Sequence, residues 1–464
     1  VKRLNLFIFG WTLCLTVLAA DMLSAQTYFD YIIGKKRDSF NARSMALGHT
    51  GAVSSYRASA IMTNPALLWQ GFAPGAAPHQ VLVDASYVAL RPSENRSFPL
   101  LDTFGDVITE TIYATNSPLY YNTDIGALYK FNDHLYFGAG SFAYYTFYYD
   151  YKERLSAQLP SSAVNRDPFL DNQISYGNGT WRTYSLSVST HWMEQIGFGA
   201  TLNYITGSGF RDHYRYSLLK TDYSGIHNTI DYRNRTNGGR SMNLILGASY
   251  QVTPHILLGA SMTMPWSIKT KGNIFYPGMD TTLVLPRHFA DTTGSYGNPV
   301  PLDIKHSQPV QVSLGVEYRP KNELFSRFIV DVNFTNWKSY KQTFSRAVPV
   351  QGDTVNAFRP PFKDVWDIHV GVEHILFGSV PLRYGFSHIG SPMNNALTTT
   401  AFSIGTGKEW DAFKFDAAIE IANRDYKYLI LFPQTAADRS SLDRVEESTV
   451  SFQFSVCYRF GFVK

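Results

Sequence analysis

Val450-Ser-Phe-Gln-Phe-Ser-Val-Cys-Tyr-Arg-Phe460 decides the fold: Val450, Phe452, Phe454, Val456, Tyr458 and Phe460 alternate with Ser451, Gln453, Ser455, Cys457 and Arg459. A period of two is that of a β-strand, and here one face is wholly apolar and must be covered by protein or lipid. The pattern recurs at Val310/Val312/Leu314/Val316/Tyr318, at Phe328/Val330/Val332/Phe334 and at Tyr184/Leu186/Val188. In a soluble sandwich the opposite face would meet bulk water and carry Lys and Glu. Here it carries mostly Ser, Thr, Asn, Gln and Gly, which suits the crowded polar lumen of a closed barrel.

About fourteen such segments follow one another, near 80–90, 121–131, 135–150, 181–193, 196–208, 240–252, 256–270, 309–319, 326–340, 365–376, 380–390, 399–409, 412–423 and 448–460. Each is near the roughly 9 to 11 residues that a tilted strand needs to cross a bilayer. Short links (132–134, 194–195, 253–255, 320–325, 377–379, 410–411) alternate with long ones (91–120, 151–180, 209–239, 271–308, 341–364, 424–447), the stretch 391–398 being the short exception. Tight turns at one end and long loops at the other predict an all-β, transmembrane antiparallel barrel of the outer membrane of a Gram-negative-type bacterium, with periplasmic turns and extracellular loops. Part of the long links, notably Phe210 to Tyr216, extends the strands into a rim.

Composition agrees. Of 464 residues 15% are aromatic and only 17% charged, against about 25% charged in average soluble chains. Beyond the first few dozen residues no apolar run of roughly 18 residues occurs. Lys2 and Arg3 precede the apolar run Leu4 to Ala20, and Ser24-Ala25 follow, the pattern of a signal peptide over 1–25. Its removal takes Cys14 and leaves Cys457 alone, so the mature chain forms no internal disulfide and no cysteine metal site. A net charge of +4 is too weak to imply nucleic acid. No Gly-x-Ser-x-Gly or His-Glu-x-x-His occurs, and no cofactor, metal site or enzymatic activity is expected. Trp192, Trp266, Trp337, Trp366 and Trp410 fall near strand ends, as a membrane-interface girdle requires. His388 reads as an inward polar residue.

Residues 26–78 are not strand-like and precede a barrel segment, 79–464. Their apolar, small-residue stretches Ala42–Gly48, Gly51–Val53 and Ala58–Leu68 need shelter, and the lumen is the shielded place. Asn64 caps a helix, Pro65 takes its first position, where a missing N–H costs nothing, and Ala66-Leu67-Leu68 continue it. Ala66 allows close approach to the wall, expected near the third strand.

The stretch from Ala42 through Ala58-Ser-Ala-Ile-Met-Thr-Asn-Pro-Ala-Leu67, with Gly48 and Gly51, resembles the N-terminal hatch of the long-chain fatty acid outer-membrane transporter family, the FadL/TodX-like channels. Three further blocks resemble it in the family's order: Leu244–Phe275 with Lys271-Gly272-Asn273; Asp331-Val-Asn-Phe-Thr-Asn-Trp337; and Arg383-Tyr-Gly-Phe386 through Ser391-Pro392-Met393. The resemblance implies a fourteen-stranded barrel plugged by a lumenal hatch. It also implies passive uptake of hydrophobic small molecules: capture among extracellular loops, passage through the lumen, and lateral exit beside a kinked third strand. On it, Asn64, Pro65 and Ala66 form the hatch motif, Ile61, Leu67, Leu68 and Arg383 line the ligand path, and Ala143, Tyr144 and Tyr145 gate the exit. Well-known members kink the third strand with a glycine, which Ser141–Phe147 lack; Gly138 or Gly140 is expected to supply a bulge instead. Outer-membrane lipid and lipopolysaccharide surround such a barrel, expected to be a monomer. Similar Asn-Pro-Ala hatches occur in type IX secretion shuttles, so a structural or secretion-associated barrel without small-molecule transport is the alternative. Arg383 shares inward parity with Gly385 and Ser387, and its partner is a lumenal carboxylate, Glu373 or Asp331, or the carboxylate of a ligand.

Overall fold

The computed structural model describes residues 33–460 except 74, 158–167, 194, 236–237, 275–299, 351–352, 377–378, 411 and 435–441. Residues 1–25, expected to be a signal peptide, and 26–32, the expected start of the hatch, lie outside the described residues. Fourteen antiparallel strands close on themselves. In chain order they are β1 (Gln80–Leu101), β2 (Tyr120–Lys130), β3 (Leu135–Thr146), β4 (Phe169–Trp192), β5 (Ile196–Leu219), β6 (Arg240–Thr253), β7 (Ile256–Thr263), β8 (Gln311–Tyr318), β9 (Arg327–Thr335), β10 (Val365–Leu376), β11 (Val380–Ile389), β12 (Thr399–Trp410), β13 (Phe413–Leu429) and β14 (Leu442–Phe460). Each pairs with its chain neighbours, and the seam closes where β14 pairs β1, from Val81 opposite Phe460 to Ser97 opposite Arg444.

The period of two governs the wall. Tyr184, Leu186 and Val188 of β4 are exposed outward, whereas Ser185, Ser187 and Ser189 are buried inward; β14 repeats this with Phe454 and Val456 outside and Gln453 and Ser455 inside. The outward apolar surface is stable only against hydrocarbon.

Strand lengths are uneven. β4 and β5 each run 24 residues while β7 and β8 run eight, so the long strands rise well past the roughly 9 to 11 residues of a crossing. The links expected over 151–180 and 209–239 are therefore largely strand: Tyr149–Ser156 pairs with β4, and Ile226–Arg235 with β5. Gly177 and Gly179 disguise the part of β4 that rises above the membrane as loop in the sequence. The strand expected over 256–270 breaks at Pro265, which lacks the N–H that a ladder needs. Beyond it, Trp266–Ile274 joins Val300–Gln308, Lys341–Val350 and Asp353–Phe358 in a separate four-stranded sheet of the rim.

Two assignments of side-chain direction need correction. Trp192, Trp366 and Trp410 are exposed near strand ends as a girdle requires, but Trp266 is buried and Trp337 packs in a rim cluster, so neither belongs to the girdle. His388 faces outward against Thr400, because it shares the parity of Tyr384. The described part of the segment before β1 lies within the barrel, where Ala42, Ala46, Leu47, Val53, Ala60, Ile61, Ala66, Leu67 and Leu68 are fully buried.

Candidate functional site

The hatch is a series of short capped turns. Asn41 caps the helix Ala42–Ala46 by accepting from Ser44 N at 2.8 Å. Gly48 and His49 then turn the chain with φ of +66° and +64°, the left-handed region that a non-glycine enters only under constraint. A 3-10 turn follows at Arg57–Ile61, and Asn64 caps a second, Pro65–Gly71, with Pro65 in its first position. Asn64 Oδ1 accepts from Ala66 N at 3.1 Å, while its Nδ2 donates to Ala52 O at 2.6 Å and to Ala248 O of β6 at 3.2 Å. One amide thus caps the turn, ties it to the rest of the hatch and fastens it to the wall.

That wall is not the third strand, as the sequence reading expected. Asn64-Pro65-Ala66 lies on glycines of β5 and β6: a Cβ on Gly199 would stand 2.4 Å from the Pro65 carbonyl carbon, and one on Gly247 2.1 Å from Asn64 Oδ1. The turn that meets β2 and β3 is the earlier one, where a Cβ on Gly126 would lie 2.6 Å from Ala58 Cβ and one on Gly138 2.9 Å from Ile61 Cγ1. The same close seating recurs at Gly259 under Ala52, at Gly371 and Gly385 under Leu47-Gly48, and at Gly405 under Ala46. A strand glycine permits another backbone to approach this closely. Gly199→Val is accordingly expected to cost about 3 kcal/mol by overpacking and to expose the hatch to protease in the folded barrel; protection equal to the parent's would refute the seating.

Charge holds the hatch as well. Arg43 donates twice to Glu373 of β10, both contacts at 3.1 Å, and Arg57 Nη2 donates to Asp416 of β13 at 2.8 Å with Asp84 of β1 at 4.0 Å. Arg383 of β11 points inward and bridges the two carboxylates, with Nε 2.5 Å from Glu373 and Nη1 2.7 Å from Asp416. Of the two carboxylates expected for it, Glu373 is a partner, joined by Asp416, and Asp331 is not: Asp331 instead accepts the Gly51 and Ala52 N–H groups at 2.5 and 2.7 Å. Burial, the largest influence, opposes the charge on Arg57, but Asp416 and Asp84 outweigh it and hold its pKa above the ordinary range. Arg57 also sits at φ +61°, a strained conformation over-determined by these contacts and by the Tyr56 ring 4.9 Å below its guanidinium.

The third strand leaves the wall. It pairs with β2 only from Tyr136 opposite Lys130 to Ser141 opposite Ile125. Toward β4 it continues to Thr146, with a register shift between Ala143 and Tyr145. The bulge therefore lies in the aromatic run, not at Gly138 or Gly140, whose pairings stay regular. From Phe142 to Tyr148 every residue is buried, so alternation has ended and the segment has turned into the lumen, where Lys35–Lys36 of the hatch pair with Tyr145 and Thr146. Residues 120–124 of β2 keep only β1 as a partner. Higher up the wall is rejoined, since Asn116 accepts from Lys152 N at 2.8 Å. The result is a window between β2 and β3.

Side-chain contacts across the window hold the diverted segment inward, off the ladder edge of β2. Asp124 of β2 accepts from Ala143 N at 2.8 Å and from Arg37 Nη1 at 2.7 Å. Tyr148 donates to Asn122 at 2.9 Å and stacks on Tyr120 with centroids 4.6 Å apart. Behind the window Tyr144 and Tyr145 enter a buried aromatic cluster with Phe147, Trp181, Phe210 and Trp266. Phe147 and Trp181 centroids lie 4.6 Å apart, and Tyr145 and Trp181 5.6 Å. Ile61, Leu67 and Leu68 belong to the same continuous apolar body. Toward the end that carries the rim a cavity of about 130 Å3 is lined by Lys35, Lys36, Asp38, Asp367 and Arg424 among others. The sequence reading missed Asp124, Trp181, Phe210 and the glycine seats; the signal present for the last was the recurrence of Gly at inward parity in successive strands.

No family model and no curated protein matches the chain. Solved structures do. A Pseudomonas aeruginosa FadL homologue superposes with a TM-score of 0.60 at 15% identity, covering 92% of this chain and 99% of its own. The Pseudomonas putida toluene transporter TodX gives 0.56 at 15%, covering 92% and 99%. The Ralstonia pickettii toluene transporter TbuX gives 0.53 at 16%, covering 91% and 99%. The chain shares their fold along nearly its whole described length.

Proposed function

We propose that this barrel is an outer-membrane channel for the passive uptake of hydrophobic compounds, hydrocarbons or long-chain fatty acids, and a diverged member of the FadL-like family. The observation that carries the reading is the window: a wall strand turned inward, opening a side route between an aromatic lumen and the lipid. A polar outer leaflet of lipopolysaccharide excludes apolar solutes, and a water-filled pore gives them no favourable surroundings. An aromatic path that buries about 200 Å2 of ligand offers roughly 5 kcal/mol. Asn64, Pro65 and Ala66 place the hatch, Ile61, Leu67 and Leu68 give it an apolar surface toward the path, and Ala143, Tyr144 and Tyr145 form the moving edge of the window. Arg383 serves this route as an anchor of the hatch. The barrel works as a monomer in outer-membrane lipid and lipopolysaccharide.

The built-up rim, with its four-stranded sheet, favours the second reading, a structural or secretion-associated barrel. The aromatic cluster and the window have no use in that role. Mass spectrometry of compounds that co-purify with the detergent-solubilised barrel, together with uptake of toluene and dodecanoate by intact expressing cells, tests the choice. Enrichment of apolar compounds and uptake above that of empty-vector cells are expected; a barrel that enriches nothing and transports neither solute is no such channel.

A further inference from the structure

Arg182 of β4 stands on the lipid-facing parity, one dyad above the exposed Tyr184 and Leu186. A guanidinium on this face is costly unless it reaches the interface or finds partners, and among the described residues no carboxylate lies within ion-pair distance of it. It crosses the diverted third strand instead. Nη1 donates to Ser141 Oγ at 3.1 Å and Nη2 to the Thr123 carbonyl of β2 at 2.7 Å. The ladder between β2 and β3 ends at Ile125, so β3 offers the Thr123 carbonyl no ladder partner, and an unpaired carbonyl facing hydrocarbon demands a donor. Thr123 lies between the outward Tyr121 and Ile125, which places this contact on the outer surface of the window, opposite the Asp124 stitch on its lumenal side.

We propose that Arg182 is the outer latch of the window: a positioning residue that spans from β4 to β2 across the gap and must swing away before a solute passes into the lipid. The inference rests on the transport reading and adds to it the step at which exit is controlled. A fork of donors suits the task, because one planar group reaches both the hydroxyl of β3 and the carbonyl of β2. Released, the side chain has a second home in the phosphate layer just above, so opening strands no charge in hydrocarbon.

The test uses intact cells expressing the full chain, whose lipopolysaccharide leaflet slows entry of the uncharged fluorophore N-phenylnaphthylamine; its fluorescence rise reports entry into phospholipid. Arg182→Met is expected to speed entry about three- to tenfold over the parent, with Arg182→Lys in between, while all three barrels keep their heat-dependent gel shift. In a Cys457→Ser background, a short reducible cross-link between Thr123→Cys and Arg182→Cys is expected to bring entry down to the empty-vector rate and reductant to restore it. An Arg182→Met rate equal to or below the parent's, or undiminished entry through the cross-linked protein, overturns the latch alone. A parent barrel no faster than the empty vector overturns the transport reading itself.

Discussion

Glu373→Gln is expected to be the most damaging single exchange in the lumen, lowering stability by about 3 to 5 kcal/mol. Glu373 receives both contacts from Arg43 of the hatch and one from Arg383, with Arg327 at 3.5 Å. Glutamine preserves the shape but removes the charge, and leaves buried guanidinium groups facing an amide. Breaking one side of a buried pair costs this much because the partner charge stays desolvated, not because the intact pair was strongly stabilising. The guanidinium chloride midpoint in detergent, followed by tryptophan fluorescence, reads the loss. Arg43→Met added to Glu373→Gln should recover part of it, since one stranded cation is then gone. A midpoint unchanged by Glu373→Gln would mean that the network is decoration on a hatch held by packing alone.

Asp124→Ala is expected to lower uptake of hydrophobic solutes at least tenfold while the barrel stays folded. Asp124 holds the bulged segment inward by accepting from Ala143 N, and binds Arg37 of the hatch with its other oxygen. Without it the Ala143 N–H has no acceptor, and an unpaired buried donor costs about 1 to 3 kcal/mol. The cheapest remedy is for β3 to resume its ladder with the unpaired edge of β2, which closes the window. Asp124→Asn keeps an acceptor and should retain intermediate uptake. Parent-level uptake by Asp124→Ala, measured with toluene at equal outer-membrane content, would separate the stitch from transport.

The wall was legible because one face of each strand meets lipid: Val450 to Phe460 states its own direction, and the inward parity of Arg383 followed from Leu382, Tyr384 and Phe386. Where no lipid selects residues, the pattern faded. Asn172, Gly177 and Gly179 sit in the part of β4 above the membrane, and nothing in them resembles a strand until β5 is seen beside it. The bulge was hidden for a different reason. Phe142–Tyr148 look like a good strand because aromatic residues suit strands, yet their consecutive burial arises from what surrounds them, Trp181, Phe210 and Trp266 from distant parts of the chain. The Asn64 cap is a local matter and could be read directly. Its seat on β5 and β6 is not, since Gly197, Gly199 and Gly247 tell of a close neighbour without saying which.

Those seats bear on the order of assembly. The hatch touches the strands backbone to backbone at several stations: a Cβ on Gly385 would lie 2.0 Å from Gly48 N, one on Gly259 2.1 Å from Ala52 O, and one on Gly199 2.6 Å from Ala66 N. A plug fitted so tightly, and pinned to Glu373, Asp416 and Asp331 besides, cannot be threaded into a cylinder that has already closed. The strands must curl around it before β14 meets β1, so the N-terminal segment acts as the mandrel on which the cylinder is wound. Refolding of a barrel that lacks residues 33–78 should then stall before the seam between β1 and β14 forms, and supplying that segment afterwards as a separate peptide should not rescue it.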